Sequence, residues 1–213
     1  MGIIKDKFVL SHNYKPQQLP VREKLVKEVV SNIKTQNGYS ALLSGLTGTG
    51  KTISVEKAVE ELNKGGGKFL IVSINCSECK NYTGVAKKII EDVKGKHYDE
   101  RGKTKSQVAE DLKKVLLTKR KKILVFVFDE IDKLVLSKAD HQEVLFPILN
   151  SCSNSSFILI SNDTNILSKL DPRLQSRLAA DIKNIPVYQP EENYLILEQR
   201  AKLGLEEGSY DEA

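Results

Sequence analysis

The sequence predicts an α/β fold, a parallel sheet held between layers of helices. Three observations carry this. Short apolar runs alternate with segments of helical period along the whole chain. One run, ILVFVF at residues 123–128, has no polar alternation, as in a central parallel strand covered on both faces. A glycine-rich stretch, GLTGTGKT at residues 45–52, joins an apolar run to a helix-like one.

The elements follow in order. Residues 1–20 read as an irregular arm closed by Pro16 and Pro20. VREKLVKEVVSNIKTQ, residues 21–36, repeats apolar positions at Val21, Leu25, Val29 and Ile33, an amphipathic helix stopped by Asn37-Gly38. Tyr39–Ser44 reads as a first strand, and residues 51–63 as the helix after the glycine loop. Gly65, Gly66 and Gly67 break the chain before a second strand, Lys68–Ile74. Helical spacing recurs over 82–93 and 105–118, with the polar connector VKGKHYDERGKTK between them. The strand Ile123–Phe128 follows, then a helix over 139–149, a strand at Phe157–Ile160, a weak strand at Asp181–Ile185 and a last helix over about 191–203. That makes five strands.

The chain has 213 residues, of which 40% are hydrophobic and 29% charged, enough for one sizeable core. No apolar run approaches the ~20 residues of a bilayer-spanning helix, and the N-terminus lacks the apolar segment of a signal peptide. No membrane partner is expected. Three cysteines, Cys76, Cys79 and Cys152, fit a reducing compartment better than a disulfide framework. Cys76 and Cys79 form a CxxC without a second ligand pair, so incidental thiols are favoured over zinc.

GLTGTGKT fits the spacing G-x-x-x-x-G-K-[ST] at Gly45, Gly50, Lys51 and Thr52, with a further glycine at Gly48. Glycines let successive N–H groups turn inward around an anion, and the helix that starts there adds its positive end. Thr47, Thr49 and Ile53 complete the phosphate-binding segment. Lys51 can reach β- and γ-phosphates, and Thr52 can ligate Mg²⁺. The bland reading is a glycine turn with a solvated lysine. Downstream, VFVFDE ends a strand in Asp129, which can hold Mg²⁺, and Glu130, placed to polarise a water as general base. The bland reading there is a surface acidic turn, and Asp132 reads as a solvated neighbour. FILI runs into Ser161-Asn162-Asp163, where Asn162 can orient the water and sense a terminal phosphate, or merely cap a turn. In DPRLQSRL, Arg173 and Arg177 share a helical face; either can serve a neighbouring subunit's site or a local salt bridge.

These pieces, in this order, resemble the AAA+ ATPases, a branch of the P-loop NTPases with an αβα sandwich. They are similar more narrowly to the archaeal and eukaryotic origin-recognition and cell-division-cycle replication initiators. NYKPQQLPVRE, GLTGTGKT, VFDEID, LISND, LDPRLQSRL and IPVYQPEENYLILEQRAKLGL carry the likeness over residues 8–210. The resemblance implies an arm over 1–20, an ATPase core over 21–187 and the start of a helical lid over 188–213. It implies an adenine pocket around Tyr14, Pro16, Leu19 and Arg22, closed by Tyr188. It makes Asn162 the first sensor and Arg177 the arginine finger acting in trans, with ATP or ADP and Mg²⁺ as cofactors. It implies origin or other duplex DNA, other AAA+ subunits and a replicative helicase as partners, and a cytoplasmic, nucleoid or nuclear location. A DNA-touching helical insertion is placed at 77–120, with Lys94, Lys96, Arg101, Lys103 and Lys105 as candidate contacts. Lys113 to Lys122 hold six more basic residues, read either as footprint or as solvated gatekeepers before the apolar strand. Relatives of this kind continue through a complete lid and a winged-helix domain. The chain instead reads as a fragment or short relative, with slow turnover. Two other readings remain, a clamp-loader-like or transposition-helper ATPase and a nucleotide-binding switch without turnover.

Overall fold

A computed structural model describes residues 3–11, 14–36, 38–138, 140–152 and 154–209. Asn13 of the arm motif, Asn37 of the turn signal and the final residues 210–213 lie outside the described residues.

The five strands are β1 (Ser40–Ser44), β2 (Phe69–Asn75), β3 (Ile123–Asp129), β4 (Ser156–Ser161) and β5 (Asp181–Asn184). They form one parallel sheet in the order β2-β3-β4-β1-β5. The ILVFVF strand, β3, is interior, between β2 and β4. The absence of alternation in β3 has the expected cause. Leu124, Phe126 and Phe128 bury into one hydrophobic cluster, while Val125 and Val127 bury into the other. Phe126 stacks on Phe157 of β4 with centroids 5.4 Å apart, and this pair helps hold the neighbouring strands in register.

One face of the sheet is covered by α1 (Glu23–Thr35) and α2 (Lys51–Asn63), which supply Val26, Val29, Ile33, Val55, Ala58 and Leu62. The other is covered by α3 (Tyr82–Lys94), α4 (Lys105–Leu117), α5 (Ile131–Val135) and α6 (Leu145–Ser151). The helix expected over 139–149 is thus divided: a 3-10 turn at Gln142–Val144 precedes α6, and α5 was not foreseen. Proline at 147 sits in the first turn of α6, where its missing N–H costs nothing.

Helices α3 and α4 each begin with a side-chain cap. Asn81 accepts from the Gly84 N–H, and Thr104 and Gln107 cap each other reciprocally. Their apolar faces, among them Val85, Ile89, Val108 and Leu112, lie in the main core. Much of the stretch 77–120 therefore packs as a layer on the sheet, and the connector between the helices is mostly exposed apart from Tyr98.

Two short helices, α7 (Ile166–Lys169) and α8 (Pro172–Leu178), lead into β5, and α9 (Pro190–Gly204) follows. The arm folds back on the end of α9: the Lys5 and Asp6 N–H groups donate to the Gly204 carbonyl at 2.9 and 3.0 Å. Leu10 packs so closely on Gly204 that a Cβ there would stand 2.7 Å from it. Arm and α9 thus enclose one side of the crevice above β1.

Candidate nucleotide-binding site

Strands β1, β3 and β4 end side by side, and the residues after them converge. The phosphate loop leaves β1, Asp129 closes β3 and Asn162 follows β4. A crevice beyond the carboxyl ends of parallel strands is where such sheets bind ligands.

The loop's conformation follows from its glycines. Gly48 (φ 85°) and Gly50 (φ 83°) are left-handed, so the amides between β1 and α2 can turn toward a common centre. Gly50 precedes the first residue of α2, which opens on Lys51 without an acidic residue in its first turn. The unpaired N–H groups of that turn and the helix dipole face the same cavity, of about 320 Å³. Thr47, Gly48, Gly50, Lys51, Thr52, Ile53, Asp129, Glu130 and Asn162 line it, as expected, together with Ile160 and Ser161.

Two expected loop residues play another part. Thr49 is buried and its hydroxyl donates to the Leu46 carbonyl at 2.9 Å, which braces the loop from behind. Gly45 sits where a Cβ would be 2.4 Å from the Ile185 carbonyl oxygen, so β5 can close on the loop only over a glycine.

Lys51 is 5% exposed, and its ammonium donates to the Gly45 and Leu46 carbonyls, both at 2.8 Å. Burial pulls its pKa below the ordinary lysine value, and the charges of Asp129 and Asp132 oppose that. The Thr52 hydroxyl donates to Asp129 Oδ2 at 3.0 Å, and the Glu130 N–H donates to Asp129 Oδ1 at 2.9 Å. Burial lifts the Asp129 carboxyl above the usual carboxylate range, although both hydrogen bonds pull the other way. Glu130 itself has φ 52°, an uncommon conformation outside glycine, and it lines the phosphate cavity.

Thr52 and Asp129 offer two hard oxygens that face each other beside the anion nest. That fits an ion such as Mg²⁺, which takes few protein ligands and completes its shell with phosphate oxygens and water. Among the described residues no group of three or more His, Cys, Asp or Glu could hold a metal alone. Of the CxxC pair, Cys76 is buried, and burial pushes its thiol far up.

A second cavity, about 300 Å³, adjoins the first and shares Gly48, Gly50 and Ile53 with it. Tyr14, Pro16, Leu19, Arg22 and Tyr188 line it. Ile196, Gln199 and Arg200 of α9 line it too and were missed, although their i, i+3, i+4 spacing is the signal of one helix face. Arg22 is buried and has a structural task besides. Its Nε donates to the Thr49 carbonyl at 3.1 Å, its guanidinium donates to the Pro186 carbonyl at 2.8 Å, and it stacks 4.3 Å over the Tyr188 ring.

Asp132 departs from expectation. It is 6% exposed rather than solvated, and it accepts hydrogen bonds from Ser161 Oγ and the Asn162 N–H.

Away from the crevice, Arg177 donates to Asn150 and Arg173 pairs with Asp171 at 2.7 Å, while both lie over the Phe146 ring. Of the candidate DNA contacts, Lys103 is held by Asp111 at 2.7 Å, and Lys105 by Asp140 and Glu143 at 3.2 and 2.8 Å. Their charges are largely offset within the chain. Arg101 stands 3.6 Å from Asp99, Lys94 lies near the Tyr98 ring, and Lys96 is exposed. Lys119, Arg120, Lys121 and Lys122 have no ion pair among the described residues.

The AAA domain family matches residues 34–170. The ORC1-type DNA replication protein of Thermococcus kodakarensis is 32% identical over 99% of this chain and 54% of its own length. That of Methanoregula boonei is 36% identical over 93% and 51%. The solved structure of the Aeropyrum pernix ORC1 protein in complex with DNA superposes with a TM-score of 0.85 at 29% identity, covering 99% of this chain and 56% of that one. Cdc6p from Pyrobaculum aerophilum, at 24% identity and a TM-score of 0.79 over 99% and 57%, shares the fold. The chain spans about half the length of the curated relatives it matches.

Proposed function

Because the chain belongs to the AAA domain family, we propose that it is the ATP-binding and ATP-hydrolysing core of a DNA replication initiator, one that controls DNA binding and assembly by its nucleotide state. The observation that carries the reading is the Thr52–Asp129 contact at 3.0 Å beside the nest of loop amides. A helix-start hydroxyl and a strand-end carboxylate meet where a metal-bound phosphate tail would need both.

In this reading the loop N–H groups and the Lys51 ammonium bind the phosphates, and Lys51 exchanges its two carbonyl partners for phosphate oxygens. When bound, Mg²⁺ supplies positive charge against the phosphate oxygens and lowers the cost of negative charge developing there. Thr52 and Asp129 would hold that ion. The Glu130 carboxylate takes the proton of the attacking water, and the Asn162 amide orients that water. The cavity under Tyr188 takes the base. Arg177 serves a neighbouring subunit's site, which requires it to leave Asn150.

The domain division into an arm over 1–20, a core over 21–187 and a lid beginning at 188 belongs to the same reading. So do DNA, other AAA+ subunits and a replicative helicase as partners, and a cytoplasmic, nucleoid-associated or nuclear site of action. Among the described residues no helix is long and apolar enough to cross a membrane. The test is steady-state hydrolysis of Mg-ATP by the unaltered chain and by Glu130→Gln. Retained binding with turnover lost in the variant supports the reading; equal turnover in both refutes it.

A further inference from the structure

Three charged residues are buried among those described: Arg22, Lys51 and Asp132. The first braces the loop and the second lines the loop cavity. Asp132 lines neither cavity and makes no direct ion pair among the described residues, although its charge acts on Lys51. A carboxylate kept out of water without a directly bonded counter-ion is costly unless hydrogen bonds hold it. What the carboxylate does hold is the tip of β4.

Asp132 Oδ1 receives the Ser161 hydroxyl at 3.0 Å and the Asn162 backbone N–H at 3.2 Å. Ser161 Oγ in turn accepts the Asp163 N–H at 3.0 Å. The last residue of β4 and the two that follow it are therefore tied, directly or through one hydroxyl, to a single carboxylate in the first turn of α5. Meanwhile the side-chain amide of Asn162 has no partner among the described residues and lines the phosphate cavity. Its backbone is fixed and its functional end is left open. The same α5 turn begins two residues after Asp129 and directly after Glu130.

We propose that Asp132 is a positioning residue: it locks the β3–α5 turn that carries Asp129 and Glu130 to the β4 tip that carries Asn162, so that the amide sensing the terminal phosphate and the base acting beside it move as one body. The inference rests on the nucleotide-site reading above and deepens it.

The test compares Asp132→Ala, Asp132→Asn, Asn162→Ala and the Asp132→Ala/Asn162→Ala double variant. Two readouts are taken: the affinity ratio for fluorescent mant-ATP over mant-ADP, and kcat against KM for Mg-ATP. Asp132→Ala is expected to bring the ATP:ADP ratio down to that of Asn162→Ala. It should lower kcat by about 10²-fold, the size of effect a small misplacement produces, with KM within about twofold. Asp132→Asn, which keeps an acceptor oxygen, should restore most of both. The double variant should be no worse than Asn162→Ala alone, since one interaction cannot be lost twice. Should Asp132→Ala fail to fold, Ser161→Ala removes one of the two bonds and should shift the ratio in the same direction. An unchanged ratio in both Asp132→Ala and Ser161→Ala, or losses that multiply in the double variant, overturns the proposal. The binding ratio decides it even if the unaltered chain does not hydrolyse ATP, an outcome that would instead refute the catalytic reading.

Discussion

The Tyr188 hydroxyl lies against Gly50, so close that a Cβ on Gly50 would stand 2.1 Å from it. A residue that walls the second cavity and the residue just before α2 are thus in van der Waals contact. Arg22 clamps the pair, since it stacks on Tyr188 and holds the carbonyl of Thr49, the neighbour of Gly50. The second cavity and the glycine loop are one unit, and several consequences can be measured.

Gly50→Ala is expected to lose nucleotide binding and to destabilise the fold by about 1–3 kcal/mol, from the left-handed backbone together with the clash. Adding Tyr188→Ala should recover only part of that, because space returns but φ does not change. Chemical denaturation of the single and double variants checks the order.

Lys51→Ala should abolish measurable ATP binding while the fold persists, since the ammonium's hydrogen-bond partners in the chain are two loop carbonyls and the Thr49 hydroxyl, which water can satisfy in its absence. Calorimetric titration with Mg-ATP decides it, and unchanged affinity would remove the phosphate-loop assignment.

Asp129 connects function to stability. Its pKa is raised in the folded chain by burial, so folding takes up a proton there and its contribution falls as pH rises through the folded value. At neutral pH the charged carboxylate therefore weighs against folding. Asp129→Asn is expected to raise the Tm of the nucleotide-free chain by roughly a few degrees, and at the same time to abolish the Mg²⁺ dependence of ATP binding. In the unaltered chain that dependence should weaken on acidification earlier than for an ordinary aspartate, because the proton competes with the ion. A Tm lowered by the substitution would show that the Thr52 and Glu130 hydrogen bonds outweigh the burial.

Arg22→Ala should cost stability of about 1.5–3 kcal/mol for the loss of charged hydrogen bonds, and should weaken ATP and ADP alike, since the clamp serves base and loop rather than the terminal phosphate. A selective loss of ATP would contradict that role.

For DNA, the ion pairs divide the basic residues. Reversing Lys103 and Lys105 removes internal partners of Asp111, Asp140 and Glu143, so it should chiefly lower thermal stability. Reversing Lys119, Arg120, Lys121 and Lys122, which are free of such pairs among the described residues, should flatten the salt dependence of duplex binding. An unchanged slope would take the turn before β3 out of any DNA footprint.

Much of this was legible in the chain. Helix α2 begins and ends where its period predicts, because a glycine loop and a lysine-glycine run bound it in sequence. The candidate residues Lys51, Thr52, Asp129 and Asn162 could be singled out because each sits at a strand end or helix start that local pattern marks. Elsewhere local pattern misled. The helix expected over 139–149 splits into a 3-10 turn and α6, and α5 was overlooked because five residues after an acidic pair carry too little period to register.

By itself the sequence determined the alternation of strands and helices, the glycine loop between β1 and α2 and the acidic pair at the end of β3, since these depend on residues adjacent or a few apart. Only the tertiary structure decided that Asp132 is buried against Ser161, that Arg22 spends its guanidinium on Thr49 and Pro186, and that Lys103 and Lys105 are paired. Each of those rests on partners brought together by packing the sheet between its helices. A polar side chain's role is set by whichever groups it meets once water is removed, and neither composition nor spacing records that.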